Sequence, residues 1–588
     1  MSFEAWLTLA VVAVMFALLA RELAPPWAIV LAATVTLLVT GVIDEAQAFS
    51  GFSNSAPLTV AALYVLARAA DKTSLMSAVL GRLLGNRGST GRGTLTRLLL
   101  PTAGTSAFIN NTPLVAMLIP EITAWCARRN ISPSRLLLPL SYAAILGGTI
   151  TVIGTSTNLV VSGLLEETGE EPLTLFEITP VGGVVALAGL ALLIGLVPIL
   201  LPERRGAERV LTEEMREFMV EMEVEPGGSL DGVSVENAEL RHLEGVYLVE
   251  VDRDGQTIAP VAPTTRLESG DRLTFVGQAD LVIDLHRISG LRSAEAKHLL
   301  AIDSPRHTFY EAVLGASSPL VGRALRDTDF RARYQAAVIA IHRAGERVKG
   351  KLGQVRLQAG DTLILLAGPD FRARWRDRRD FLVVARLGGE PPSAGRKAPV
   401  VGVTAAAMVL LAAFDVLPIL QLALLAAGAM IATRVLTVSE ARDSIDLDVI
   451  ILIAAAFGVG AAIESTGLAS TIADGLVSGL DPLGTVGIIL GVVVATTLLT
   501  EVITNNAAAV VLFPIAIAVA AGADLDPRTM AIAIAVTASS SFLTPLGYQT
   551  NTMVYGPGGY RFTDYLRAGI PLNLAVVAVI TLMTWALA

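Results

Sequence analysis

The sequence predicts an all-α polytopic membrane protein: an inverted repeat of two five-span halves, each with a re-entrant hairpin, separated by an α+β insert. Three observations carry this reading. Of 588 residues, 53% are hydrophobic and 16% charged, and the mean hydropathy is +0.62, values outside those of an ordinary soluble enzyme. The apolar runs lie in residues 1–202 and 398–588, whereas 203–397 is rich in Arg, Asp and Glu. One polar pattern also occurs twice in apolar surroundings. Asn110-Asn111-Thr112 precedes Pro120, and Thr504-Asn505-Asn506 precedes Pro514, with nine residues from Asn111 and from Asn505 to the proline.

A hydrocarbon core takes about 20 apolar residues per helix. Spans are expected near 5–21, 27–43, 55–71, 135–165 and 178–201, and again near 398–414, 417–433, 448–466, 529–556 and 566–587. The first run follows Met-Ser-Phe-Glu with no basic stretch, so it reads as a retained span. Segments 91–126 and 484–521 each carry the polar triplet midway and read as two half-helices meeting at a tip. Five crossings per half is an odd number, so the second copy must run in the opposite orientation. Amphipathic segments 74–86 and 466–479 precede the two hairpins and fit helices in the membrane interface.

Basic residues set the orientation. With the N-terminus outside, one set of loops collects Arg68, Lys72, Arg128, Arg129, Arg204, Arg205, Arg434 and Arg442, and the other keeps Arg528 with the acidic Glu166, Glu167, Glu170 and Glu171. The positive-inside rule places the first set, and the insert with it, in the cytoplasm. The insert is itself duplicated, in units 203–300 and 301–397: Gly270-Asp271 recurs 90 residues later as Gly360-Asp361, after alternating apolar strands. Cys126 is the only cysteine, so no intrachain disulfide forms. A net charge of −9 argues against a nucleic-acid partner.

Polar residues inside apolar spans are costly unless they bind something, and matched interruptions in two halves point to a transporter's substrate site. A second pair of motifs follows the tips, Gly154-Thr155-Ser156-Thr157-Asn158 and Gly547-Tyr548-Gln549-Thr550-Asn551. Asn158 lies 47 residues after Asn111, and Asn551 lies 46 after Asn505. A broken helix offers N–H groups to an anion and carbonyl oxygens to a hard cation such as sodium. The alternative is that these residues cap kinked helices and bond their neighbours. Glu501, beside the second tip, is an intramembrane acid whose counterpart is Ala107. It either assists a cation site, carries a proton, or pairs with a nearby hydroxyl.

At these residues the chain resembles the divalent-anion/sodium symporter (DASS) family, whose hairpin tips carry Ser-Asn-Thr and whose later loops are of Pro-Pro-Asn type. The central Asn of each tip and the last Asn of each loop match; the prolines and the first tip residue do not. The strings Gly-Thr-Ser-Thr-Asn-Leu-Val-Val and Gly-Tyr-Gln-Thr-Asn-Thr-Met-Val-Tyr-Gly are closer to a sulfate-permease branch. That branch inserts two TrkA-C (RCK C-terminal) domains between its membrane halves, and the insert here is similar to them in length, duplication and Gly-Asp turn. The resemblance implies two sodium sites, the metal ligands being Ser106, Asn111, Gly154 and Asn158, and in mirror Thr500, Asn505, Gly547 and Asn551. It implies an oxyanion, sulfate first, held between Asn110, Asn111, Thr112 and Thr157 and Thr504, Asn505, Asn506 and Thr550, with Glu501 the candidate coupling acid. It further implies elevator-type symport across the plasma (inner) membrane, a homodimer built on spans 27–71 and 417–466, and a small-molecule regulator at the insert. A dicarboxylate is the alternative substrate, and a transporter-like sensor the alternative role. A potassium channel ranks last because no Thr-Val-Gly-Tyr-Gly filter is present. No nucleophile or metal motif supports an enzyme.

Overall fold

The computed structural model describes all residues except 22, 74–90, 130, 204–218, 241–242, 244–245, 254–255, 259–260, 278–287, 294–307, 316–317, 344–345, 349–351, 376–379, 387–394 and 546. The expected segment 74–86 therefore lies outside the described residues. Two compact units result, one of Met1–Glu203, Pro391–Tyr555 and Tyr560–Ala588, the other of Arg204–Glu390 with Gly556–Gly559.

The first unit is helical, and, Leu468–Leu480 apart, the described helices of its two halves come in the same order. Helices Phe3–Ala20, Pro26–Val39, Glu45–Ser53 and Ser55–Lys72 are followed by the hairpin Arg92–Ser106 and Asn111–Arg128, then Leu137–Gly148, Ser156–Glu167 and Thr179–Leu200. The second half gives Ala398–Ala413, Ile419–Ala432, Val438–Asp443 and Leu447–Ser465, then Leu468–Leu480, then the hairpin Gly484–Thr500 and Asn505–Gly522. Pro527–Ala538, Gln549–Tyr555 and Phe562–Leu587 complete it. Among the described residues, six helices are long and apolar enough to cross a membrane. Outward-facing apolar side chains are bare, as lipid contact requires: Phe3 is 82% exposed and Leu425 62%. The protein is an integral membrane protein.

Two expectations need correcting. The spans expected at 135–165 and 529–556 are each broken in two, at residues 149–155 and 539–548. Asn158 and Asn551 bond back to carbonyls at and beyond the helix ends and so hold each break, as described below. Three expected spans, Pro26–Val39, Ala398–Ala413 and Ile419–Ala432, are only 14, 16 and 14 residues long.

Two short helices were not foreseen, Glu45–Ser53 and Val438–Asp443. Each opens with a capping box. Asp44 accepts from Gln47 N at 2.8 Å while Asp44 N donates to Gln47 Oε1 at 3.1 Å. Thr437 Oγ1 accepts from Glu440 N at 3.2 Å while Thr437 N donates to Glu440 Oε2 at 2.8 Å. Such a cap is worth about 1 kcal/mol, enough to start a helix this short.

The halves interlock. Leu447–Ser465 packs on Pro26–Val39 and Glu45–Ser53, and Ser55–Lys72 packs on Ile419–Ala432. Thr34 donates to the Ala455 carbonyl at 2.7 Å, and the Cβ that Gly51 lacks would stand 2.3 Å from Ala454 O. Small residues thus set the backbone separation. Lys72 joins Glu440 at 2.6 Å. Its ammonium, and then the Thr437 N–H, hold the Glu440 carboxyl down at about 2. In the loop before Thr179, Arg528 pairs with Glu177. Burial alone would raise that carboxyl, but hydrogen bonds from Arg528 and Thr174 outweigh it and leave it below its ordinary value.

The second unit holds two five-stranded antiparallel sheets. Strands β1 (Met219–Val224), β2 (Val246–Arg253), β3 (Gln256–Ile258), β4 (Arg272–Gly277) and β5 (Leu291–Ser293) form the first, in the order β3-β2-β4-β1-β5. Strands β6 (Thr308–Val313), β7 (Ala336–Arg343), β8 (Glu346–Arg347), β9 (Thr362–Ala367) and β10 (Val383–Arg386) form the second, in the order β10-β6-β9-β7-β8. Read from the other edge, the second order is the first. Both Gly-Asp turns work alike. Gly270 and Gly360 sit at φ +86° and +83°, where a side chain would be strained. The following Asp271 and Asp361 are gripped bidentately by Arg253 and Arg343, at 2.7–2.8 Å.

Candidate functional site

Each hairpin tip is a helix end facing a helix start. Arg92–Ser106 stops, the chain turns, and Asn111–Arg128 begins with Pro113 in its first turn, where a missing N–H costs nothing. Asn110 Oδ1 accepts from Thr112 N at 3.4 Å. The second tip runs from Thr500 to Asn505. Thr504, the counterpart of Asn110, makes no side-chain cap, and its buried Oγ1 has no hydrogen-bond partner.

Behind each tip the same bonds recur. The Ser106 hydroxyl lies 2.6 Å from Asn111 Oδ1 and 2.8 Å from Ala144 O. The Thr500 hydroxyl lies 3.1 Å from Asn505 Oδ1 and 2.8 Å from Ala538 O. In each trio three oxygens share one proton, so one close oxygen pair is always left without a donor. Asn158 Nδ2 donates to Gly148 O at 3.0 Å and Thr151 O at 2.9 Å. Asn551 Nδ2 donates to Ser541 O and Thr544 O, both at 3.2 Å. Each Asn thereby satisfies the carbonyls that the broken helix leaves free. Gly154 and Gly547 allow this folding back: a Cβ on Gly154 would meet Gly148 O at 2.5 Å, and one on Gly547 would meet Ser541 Oγ at 2.3 Å. Gly148 is equally confined, with Asn111 Oδ1 at 2.6 Å from the Cβ it lacks.

Each tip also reaches the later loop of the opposite half. Asn111 Nδ2 donates to Tyr548 OH at 2.7 Å, and Thr112 Oγ1 to Gln549 Oε1 at 3.2 Å. In return Thr157 and Ser156 donate to Asn506 Oδ1 at 2.9 and 3.3 Å. Ser141 donates to Asn551 Oδ1 at 2.7 Å and lies 2.8 Å from Thr550 Oγ1, whose own hydroxyl can donate to it, and Ser539 donates to Asn158 Oδ1 at 3.2 Å. Every sequence-derived site residue thus lies in or beside one polar cluster. Ser141 was not anticipated, and Ser539 and Tyr548, though beside or inside the motifs, gave no sign of these partners, because the contacts that recruit them span several hundred residues and leave no local pattern.

Glu501 bonds to main-chain amides. Its Oε1 accepts from Phe542 N at 2.7 Å and Leu543 N at 2.9 Å, and its Oε2 from Thr544 N at 3.0 Å. The carboxylate caps amides within the break that follows helix Pro527–Ala538. The first half has Ala107 there, and the main-chain contact alone survives: Thr151 donates to Ala107 O, as Thr544 donates to Glu501 O at 3.4 Å.

Segments 104–114, 147–160, 498–508 and 539–552 contain no Lys, Arg or His. Positive potential in the cluster comes from the starts of helices Asn111–Arg128, Ser156–Glu167 and Asn505–Gly522. Neutral donors, paired oxygens and broken helices at the meeting of two similar halves define a membrane transport protein, not an enzyme. A family model described as the citrate transporter (CitMHS) matches residues 13–537, and the chain belongs to that family. It is 36% identical over 568 residues to a putative sulfur deprivation response regulator of Chlamydomonas reinhardtii, covering 94% of this chain and 96% of that one. It is 34% identical over 579 residues to an uncharacterized transporter of Synechocystis, covering 97% and 94%. It is 25% identical over 748 residues to a probable sodium/sulfate cotransporter 3 of Chlamydomonas reinhardtii, covering 92% and 83%.

Proposed function

We propose that the protein is a DASS-type symporter that couples sodium to the import of a divalent oxyanion, sulfate in the first place. One observation carries the proposal: the twin oxygen trios at Asn111 and Asn505, in a cluster whose segments hold no cationic side chain. A divalent anion entering such a cluster needs its charge balanced, and cations bound at the trios supply the balance. The two sites join Ser106, Asn111, Gly154 and Asn158, and Thr500, Asn505, Gly547 and Asn551. The anion is held by Asn110, Asn111, Thr112, Thr157, Thr504, Asn505, Asn506 and Thr550, where the unpartnered Thr504 hydroxyl offers a free contact. The name of the cotransporter relative supports both ions.

The two halves act as an inverted repeat. The hairpins, with the broken helices, move as an elevator against a dimeric scaffold of spans 27–71 and 417–466 in the inner membrane. The insert is cytoplasmic and TrkA-C-like, its shared strand order supporting the duplication. A cleft of about 490 Å³ lined by Arg331, Tyr334, Gln335, Phe371 and Arg374 is where a small-molecule regulator fits. Uptake of labelled sulfate into proteoliposomes with and without a sodium gradient tests the core of this reading; sulfate uptake indifferent to sodium overturns it. A sensor role is the second reading, favoured by the name of the regulator relative. Sulfate binding without net uptake decides for it.

A further inference from the structure

We infer that Tyr548, carried by the second half, sets the cation site of the first half by fixing which way the Asn111 amide points. The assignment rests on the sodium-coupling reading above and adds a residue and a direction of control to it.

The Asn111 side chain is fully buried, with hydroxyls at both ends of its amide. Ser106 Oγ lies 2.6 Å from Oδ1, and Tyr548 OH lies 2.7 Å from Nδ2. A hydroxyl donates or accepts, so these two neighbours alone would tolerate the amide turned by 180°. The turned amide would present –NH₂ to the Ser106 and Ala144 oxygens and spoil a site for a hard cation. A third partner can break the tie. Tyr548 OH also lies 3.2 Å from Thr155 Oγ1. Either hydroxyl can donate in that contact; where the phenol gives its proton to Thr155, its oxygen is left as an acceptor and Asn111 must offer it nitrogen. The amide oxygen then joins Ser106 Oγ and Ala144 O, 2.8 Å further on.

The second half has no equivalent. Tyr548 follows Gly547 as Thr155 follows Gly154, yet Thr155 turns to Tyr548 and not to Asn505. Among the described residues no group plays the part of Tyr548 toward the Asn505 amide nitrogen. Its Oδ1 contact to Thr500 is also longer, 3.1 Å against 2.6 Å. The first cation site is therefore organised in advance by a side chain from the other half, and the second is not. Tyr548 is a positioning residue: it acts on the cation through Asn111.

The test uses the full chain. Labelled sulfate uptake into proteoliposomes is titrated against external sodium, and the thermal midpoint of purified protein is read in sodium and in potassium at equal ionic strength. For Y548F we expect the half-saturating sodium concentration to rise by up to about tenfold, the scale of one lost hydrogen bond, and to move further than that of sulfate. The extra thermal stability conferred by sodium should shrink with it. T155V leaves the phenol in place but frees its proton, and should shift the sodium titration in the same direction; it carries the test if Y548F fails to fold. Sodium titrations of both folded variants that overlay the wild type overturn the assignment. A wild type indifferent to sodium in both readouts overturns the coupling reading itself, and this assignment with it.

Discussion

The Ser141 hydroxyl donates to Oδ1 of Asn551, 410 residues further along the chain, at 2.7 Å. Ser539 returns the bond to Asn158. Each of these asparagines holds the loose carbonyls of its own broken helix and is itself held by the other half. The cluster is therefore complete only when both halves are docked. Its geometry is a property of their interface, not of either hairpin alone.

Asn111→Ala and Asn505→Ala are each expected to lower sulfate uptake by about 100-fold, roughly 2.7 kcal/mol, with the protein still folded. Each loses one oxygen of a trio, and the small side chain leaves the helix start intact. Uptake per folded protein, checked by size exclusion and thermal midpoint, decides this. Near-normal uptake by both variants removes the proposed site.

Gly148→Ala separates close packing from helix propensity. Its methyl would meet Asn111 Oδ1 at 2.6 Å, whereas one at Gly104, also helical, meets nothing within 4 Å. Transport should collapse in Gly148→Ala and survive in Gly104→Ala. Equal activities would mean that Asn111 can shift without consequence.

Glu501→Gln should cost stability before it costs coupling. Three main-chain N–H groups converge on the carboxylate, and an amide nitrogen cannot accept from them. Each buried donor left unpaired costs about 1–3 kcal/mol, so the thermal midpoint should fall while the remaining uptake keeps its dependence on external pH. Loss of that pH dependence at unchanged stability would assign Glu501 to proton coupling instead.

The motifs at Asn111, Asn158, Asn505 and Asn551 were legible because amides stand out in apolar runs and their spacing repeats. The helix breaks were legible only in part: the glycines of the Gly154–Asn158 and Gly547–Asn551 loops mark where the chain can unwind, but not where each helix ends. Thr151, Val152 and Ile153 read as the middle of a span, and only the Asn158 amide, folding back on Gly148 and Thr151, shows that the helix has ended. Tyr548 was equally hidden, since its role depends on a partner in the other half. The two short helices were within reach: Asp44-x-x-Gln47 and Thr437-x-x-Glu440 are capping boxes visible in the sequence.

The Lys72–Glu440 pair predicts a modest acid sensitivity. Glu440 is held at about 2 in the folded protein, below an ordinary carboxylate near 4.3. Its contribution is complete above that ordinary value and is lost as pH falls toward 2. Surface pairs give about 0–1 kcal/mol. Glu440→Gln should therefore sit slightly below the wild type in thermal midpoint at neutral pH, and the gap should close as the medium is acidified through that window. A gap that widens in acid contradicts the pairing.

Topology is checked by single-cysteine variants of Cys126→Ser carrying a reporter at Ser229 in the insert. Labelling by an impermeant maleimide is expected only after the cytoplasmic side is opened. Labelling of intact cells reverses the orientation.

The interlocked halves also set a schedule for biogenesis. When the first half enters the bilayer, Asn111 and Asn158 are made, but Tyr548 and Ser539 are not. Between the halves lie residues 203–397, about 200 residues that take roughly 10–40 s to synthesise at 5–20 residues per second. Through that interval Asn111 and Asn158 each hold a half-satisfied amide in a medium that offers no water. A nascent chain stalled before residue 539 should therefore stay bound to the insertion machinery or be degraded, and the commitment to a finished transporter is made at the last broken helix.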